Sequence, residues 1–261
     1  MLAGMIHGLG QNPALGDIGG FKSRKPAPVA WEIVGEIPLP ASSFTQGLYV
    51  EGDTLWLGTG QHGQSRLYKL RLEDGGVLQS VRLPNQFFGE GVTVIDGRAI
   101  QLTWQSGYVF TYDKETLKQS GYYRIEGEGW GLTHDGKSLI LSSGLPSLQI
   151  IDPLSFRVVR KLEVSHNSIP VGSLNELEFV KGWILANVWT TSKVLFISPK
   201  TGEVCAFFDF SDLAERARRV DPEVDVLNGI AWDEKRGELL ITGKLYPSIF
   251  RVRVKDWPEL P

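Results

Sequence analysis

Phe44-Thr45-Gln46-Gly47-Leu48, Gly89-Glu90-Gly91-Val92-Thr93, Gly129-Trp130-Gly131-Leu132-Thr133, Leu174-Asn175-Glu176-Leu177-Glu178 and Leu227-Asn228-Gly229-Ile230-Ala231 are five variants of one pattern, a small or acidic residue followed by an apolar pair. The matched positions 47, 91, 131, 176 and 229 lie 44, 40, 45 and 53 residues apart. Turn residues follow each segment, as in Glu51-Gly52-Asp53 and Asp135-Gly136-Lys137, and then apolar runs at 54–57, 99–103, 138–141, 183–188 and 238–242. Third runs follow at 66–72, 108–112, 148–151, 193–197 and 249–254, and more alternating fourth runs at 77–83, 117–125, 157–164 and 204–210. Val, Ile, Tyr and Phe bounded by Gly, Asp and Pro read as strands.

Four strands every 40 to 50 residues is the period of a propeller blade. The expected fold is therefore all-β, a five-bladed β-propeller with four antiparallel strands per blade. The fifth repeat has only three strands, and an orphan strand at 31–39 precedes the first repeat. Placed outermost in the last blade, it closes the ring and removes two exposed sheet edges. Residues 211–220 read as one helix, which accounts for the long spacing of 53. Residues 29–257 are expected to form a single domain. Residues 1–28, rich in Gly, Ala and Pro, read as a poorly ordered N-terminal arm. The apolar run Met1–Ile6, broken by Gly4, is too short for the core of a secretory signal.

Composition excludes several classes. The 261 residues carry 27 Lys and Arg against 30 Asp and Glu, so no net basic field draws nucleic acid or an anionic membrane. A single cysteine rules out an intramolecular disulfide framework and a cysteine-based zinc site. No apolar stretch is long enough for a spanning helix.

In a blade, the start of strand one and the end of strand two meet at the same mouth of the channel. Strand-one starts bring Phe44, Gln46, Phe88, Glu90, Trp130, Asn175, Glu176 and Asn228 there, and strand-two ends bring Thr59, Trp104, Ser143, Trp189 and Lys244. Aromatic rings with a few convergent polar groups make a small-ligand site. Glu90 stands between two glycines after two phenylalanines, where aromatic surroundings disfavour its charged form. Glu176 and Asn228 read equally as braces for the channel loops.

These segments, with Gln101-Leu102-Thr103-Trp104, Ala186-Asn187-Val188-Trp189 and Thr242-Gly243-Lys244, resemble the plant-type and bacterial glutaminyl-peptide cyclotransferases over about residues 40–255. The resemblance implies a five-bladed propeller and an acyltransferase that converts an N-terminal glutaminyl residue to pyroglutamyl with release of ammonia. It implies Glu90 as general acid/base. Beside that, Lys244 reads as an oxyanion or carbonyl partner. Phe44, Phe88, Trp104, Trp130 and Trp189 read as walls, and Gln46 and Asn175 as hydrogen-bonding groups for the substrate. The implied partners are peptides or proteins with N-terminal Gln, bound by a monomer without a required cofactor or metal, in a periplasmic or secreted setting. One departure is Leu57-Gly58, where the family carries an acidic residue and Ser.

Other residues offer less. His7, His62, His134 and His166 show no metal-ligand spacing and read as loop histidines; Cys205 reads as packing. Asp221 to Asp225 reads as a helix exit, with a structural calcium as the looser alternative. Two rival functions remain open at this point: a binding-only propeller, and a metal-dependent lactonase-like hydrolase built on Asn175, Glu176 and Asn228.

Overall fold

The computed structural model describes residues 26–260. Blade one is formed by β-strands that follow two earlier ones, β1 (Ala27–Pro28) and β2 (Trp31–Pro38); its own are β3 (Thr45–Glu51), β4 (Thr54–Thr59), β5 (Arg66–Arg71) and β6 (Val77–Arg82). Blade two holds β7 (Gly89–Ile95), β8 (Arg98–Thr103), β9 (Tyr108–Asp113) and β10 (Gln119–Arg124). Blade three holds β11 (Leu132–His134), β12 (Leu139–Leu141), β13 (Ser147–Ile151) and β14 (Val158–Glu163), followed by a two-residue hairpin, β15 (Ser165–His166) and β16 (Ile169–Pro170). Blade four holds β17 (Leu174–Val180), β18 (Trp183–Val188), β19 (Lys193–Ile197) and β20 (Val204–Asp209), and α1 (Ser211–Val220) leads out of it. Blade five holds β21 (Leu227–Asp233), β22 (Glu238–Gly243) and β23 (Ser248–Val254). β2 completes it, paired antiparallel with β23 from Trp31↔Val254 to Pro38↔Ser248. The ring closes as the strand arithmetic requires.

The repeated glycine has a packing reason. A Cβ at Gly47 would stand 2.4 Å from the Val92 nitrogen, one at Gly91 2.6 Å from the Leu132 nitrogen, and one at Gly131 2.1 Å from the Asn175 carbonyl oxygen. The first three inner strands therefore approach the next blade's inner strand too closely for any side chain at this position. In repeat four the position is Glu176, and its carboxylate takes over the linking role: Oε1 accepts the Leu48 N–H at 3.1 Å and Oε2 the Ile230 N–H at 2.7 Å, tying blade four to blades one and five.

Five apolar clusters fill the spaces between blades. Leu48, Leu57, Ala231 and Leu240 pack blade five on blade one, and Trp56, Leu67, Val92 and Phe110 pack one on two. Leu102 with Leu139, and Ile140 with Leu177, continue round the ring. Leu213 and Ala217 of α1 join the largest cluster, between blades four and five.

The short strands escape periodicity. The proposed arm over 1–28 falls largely outside the described residues, but its end is corrected: Ala27 and Pro28 pair in parallel with Ala206 and Phe207. Proline has no N–H to give a ladder and suits such an edge position. Two-residue strands such as β1 and the β15–β16 hairpin carry too few residues to show alternation. Among the described residues, no helix is long and apolar enough to cross a membrane.

Candidate active site

Backbone hydrogen bonds bring the end of strand two back to the start of strand one in each blade. Gly60 N–H donates to the Phe44 carbonyl at 2.8 Å, Trp104 to Phe88 at 3.0 Å, and Trp189 to Ser173 at 2.8 Å. Lys244 bridges to Phe44 across the closure of the ring. These pairings collect the candidate residues at one mouth.

The half-buried rings there form an arc. Phe44 meets Phe88 edge-on at 6.1 Å, and Phe88 meets Trp104 at 5.6 Å. Trp130 meets Trp189 edge-on at 5.7 Å. Between the two pairs stands Glu128: its Oε2 accepts the Nε1–H of both Trp104 and Trp130 at 2.8 Å, and its Oε1 accepts Gln105 Nε2–H at 3.1 Å. Lys244 Nζ lies 5.0 Å over the Phe44 ring, so blade five caps the arc with a cation. Glu128 was not singled out from the sequence, yet its setting in Gly127-Glu128-Gly129 repeats that of Glu90.

Glu90 is 4% exposed and sits on a backbone pinned from both sides. Gly89 N–H donates to Ser65 Oγ at 2.9 Å and Gly91 N–H to the Trp130 carbonyl at 2.8 Å. Gly58, one of the two departures from the family pattern, lets blade one approach: a Cβ there would stand 2.7 Å from the Glu90 carbonyl oxygen. The Glu90 carboxylate accepts Gln46 Nε2–H at 3.0 Å. Gln46 is fixed in turn by Asn228, whose Nδ2–H donates to Gln46 Oε1 and to the Thr45 carbonyl, both at 3.2 Å. Asn228 thus orients Gln46, and Glu176 braces three blades. The even reading resolves toward structure for Glu176, while Asn228 positions Gln46 through its Nδ2.

Burial pushes the Glu90 carboxyl well above the usual range; the Lys244 cation opposes this and the Glu128 carboxylate adds to it. Burial lowers the Lys244 ammonium, against the pull of Glu90 and Asp225. The direction for the pair is toward the uncharged forms. Asn175 is also buried, and the side-chain oxygens of Asn175 and Asn228 accept no hydrogen bond from the described residues.

The remaining candidates fall elsewhere. His166 is buried with Nδ1 3.3 Å from the Val204 carbonyl, and half-buried His134 bonds Tyr49 Oη at 3.0 Å. This corrects the loop-histidine reading for both: His134 links blade three to Tyr49 of blade one, and His166 lies against blade four. Burial raises the Cys205 thiol, away from the reactive thiolate. Asp221 accepts the Glu223 N–H at 2.9 Å, the geometry of a helix exit. A depression of about 250 Å³ lined by His62, Gln86, Phe88, Trp104 and Gln105 flanks the outer side of the arc.

Residues 10–254 match the glutamine cyclotransferase family. The chain is 38% identical over 228 residues to a glutaminyl-peptide cyclotransferase of Arabidopsis thaliana, a match that spans 86% of this chain and 71% of that one. It is also similar to the crystal structure of Myxococcus xanthus glutaminyl cyclase, with a TM-score of 0.81 at 36% identity over 88% of this chain and all of that one. The β-propeller domain of Cps50 (Swd1) from Myceliophteria thermophila gives 0.52 at 10% identity over 87% of this chain and all of that one, a likeness of fold alone.

Proposed function

The chain belongs to the glutamine cyclotransferase family, and we propose that it closes the N-terminal glutaminyl residue of peptides to pyroglutamyl with Glu90 as the proton carrier in an aromatic, metal-independent site. The enzyme is a glutaminyl-peptide cyclotransferase, an acyltransferase whose acyl group and acceptor amine belong to the same residue.

The substrate's own α-nitrogen is the nucleophile, so no enzyme serine or cysteine is needed. The N–C bond forms between that nitrogen and the side-chain amide carbon, and the bond from this carbon to the amide nitrogen breaks. Glu90 takes a proton from the attacking amine and delivers it to the leaving nitrogen, which departs as ammonia. A carboxyl whose pKa burial raises is a better proton acceptor than a solvated one, which suits the first half of that transfer. The Lys244 cation and the Gln46 amide stand beside Glu90, where negative charge develops on the carbonyl oxygen.

The rings grip the aliphatic part of the folded-back side chain and keep water from the attack. The Glu128 carboxylate, behind two indoles, favours an approaching α-ammonium, while Asn175 and Asn228 offer acceptors to its N–H groups.

The observation that carries this reading is the buried Glu90–Gln46 hydrogen bond at the head of the aromatic arc. The test is a coupled ammonia assay on Gln-initiated peptides with and without a strong chelator. Ammonia release that persists with the chelator supports the reading. No ammonia points to a binding-only propeller, and loss on chelation points to a metal-dependent hydrolase.

A further inference from the structure

A second cavity, of about 270 Å³, opens beside the mouth on the blade-five side of blade one. Thr59, Gly60, Arg66, Tyr68 and Arg82 help line it, and no acidic residue among the described ones does. Arg66 and Arg82 are direct cross-strand partners on β5 and β6, so two cations face the same space. Like charges directly opposite on adjacent strands repel. Arg82 donates to the Gly63 carbonyl, whereas the Arg66 guanidinium forms no hydrogen bond or ion pair with any described residue.

We infer that this cleft is an oxyanion subsite for the substrate chain, taking an acidic side chain that follows the N-terminal glutamine. The inference rests on the cyclotransferase reading. Two guanidiniums without a carboxylate are a fork for a carboxylate, and two such donors hold it bidentately. The wall between this cleft and the catalytic mouth is one residue thick. Gly60 N–H donates to the Phe44 carbonyl at 2.8 Å, and a Cβ at Gly60 would stand 2.3 Å from the Phe88 ring. A peptide whose first residue lies among those rings passes within a few residues' reach of Arg66 and Arg82.

The test moves a single Glu through positions two to five of a neutral Gln-initiated peptide, with Gln as the isosteric control. One position is expected to raise kcat/KM about fivefold through KM, the size of a partly exposed ion pair. Arg66→Gln and Arg82→Gln should each remove that preference and leave turnover of the neutral peptide unchanged. Inorganic phosphate added to the wild type should compete with the acidic peptide and not with the neutral one. Ammonia release without an acid preference at any position, or a preference that survives both variants, overturns the inference alone. A cleft that binds phosphate without favouring acidic peptides also overturns it, as a small-anion site only. No ammonia from any peptide overturns the cyclotransferase reading and this inference with it.

Discussion

Gln46 and Glu90 belong to different blades, yet the side-chain amide of the first donates to the carboxylate of the second at 3.0 Å with both side chains buried. The acid is thus held by the blade interface itself. Replacing Glu90 with Gln preserves volume and removes the ability to carry a proton. Turnover should fall by about 10²- to 10⁴-fold, the usual contribution of a positioned acid/base. The melting temperature should hold, because the amide keeps the side-chain volume and an oxygen to accept the Gln46 N–H. Ammonia assays beside calorimetry decide it; a Glu90→Gln enzyme with near wild-type turnover removes Glu90 from the proposed role.

Glu128 supplies the second handle. Its charge is one cause of the raised Glu90 pKa, so Glu128→Gln should move the acidic limb of the kcat/KM profile to lower pH. The variant also puts an amide in place of one carboxylate oxygen opposite two indole N–H groups, so KM should rise and tryptophan emission should shift. A purely structural role would leave the pH limb where it stands.

The propeller was legible because four of the five blades repeat a glycine at the inner strand, and Gly47, Gly91 and Gly131 each meet a neighbouring backbone where no Cβ fits. The site was legible because strand ends converge by topology, which places Phe44, Trp104 and Lys244 together without any knowledge of side-chain direction. Glu128 was hidden for a related reason. It lies one residue before the repeated segment that starts at Gly129, in a loop whose path only the coordinates define. The partners of Asn228 and Glu176 were hidden too, since both reach across blades to positions more than 50 residues distant.

Glu176 makes that concealment testable. Its two oxygens serve the buried N–H groups of Leu48 and Ile230. Glu176→Ala leaves both donors unpaired at the axis, at roughly 1–3 kcal/mol each. For a domain of this size that is a fall in melting temperature on the order of 10 °C. A variant that melts with the wild type would show that the three-blade link contributes no stability.

Glu178 lies two residues further along the same inner strand. It accepts the Trp232 N–H at 2.9 Å and the Thr133 hydroxyl at 3.1 Å, and burial raises its pKa from 4.5 to about 8 despite both bonds. The folded state therefore keeps a proton that the unfolded chain loses. The stabilisation linked to this proton is whole below pH 4.5 and is lost as pH rises through about 8. Stability should fall between those values with a slope of up to about 1.4 kcal/mol per pH unit from this group. Glu178→Gln keeps the acceptor for Trp232 and offers a donor to Thr133, so it should flatten the slope and leave the folded state more stable than wild type at pH 8. Denaturant unfolding at pH 5, 6.5 and 8 measures both. Parallel curves for the two proteins would mean that Glu178 titrates alike in the folded and unfolded states.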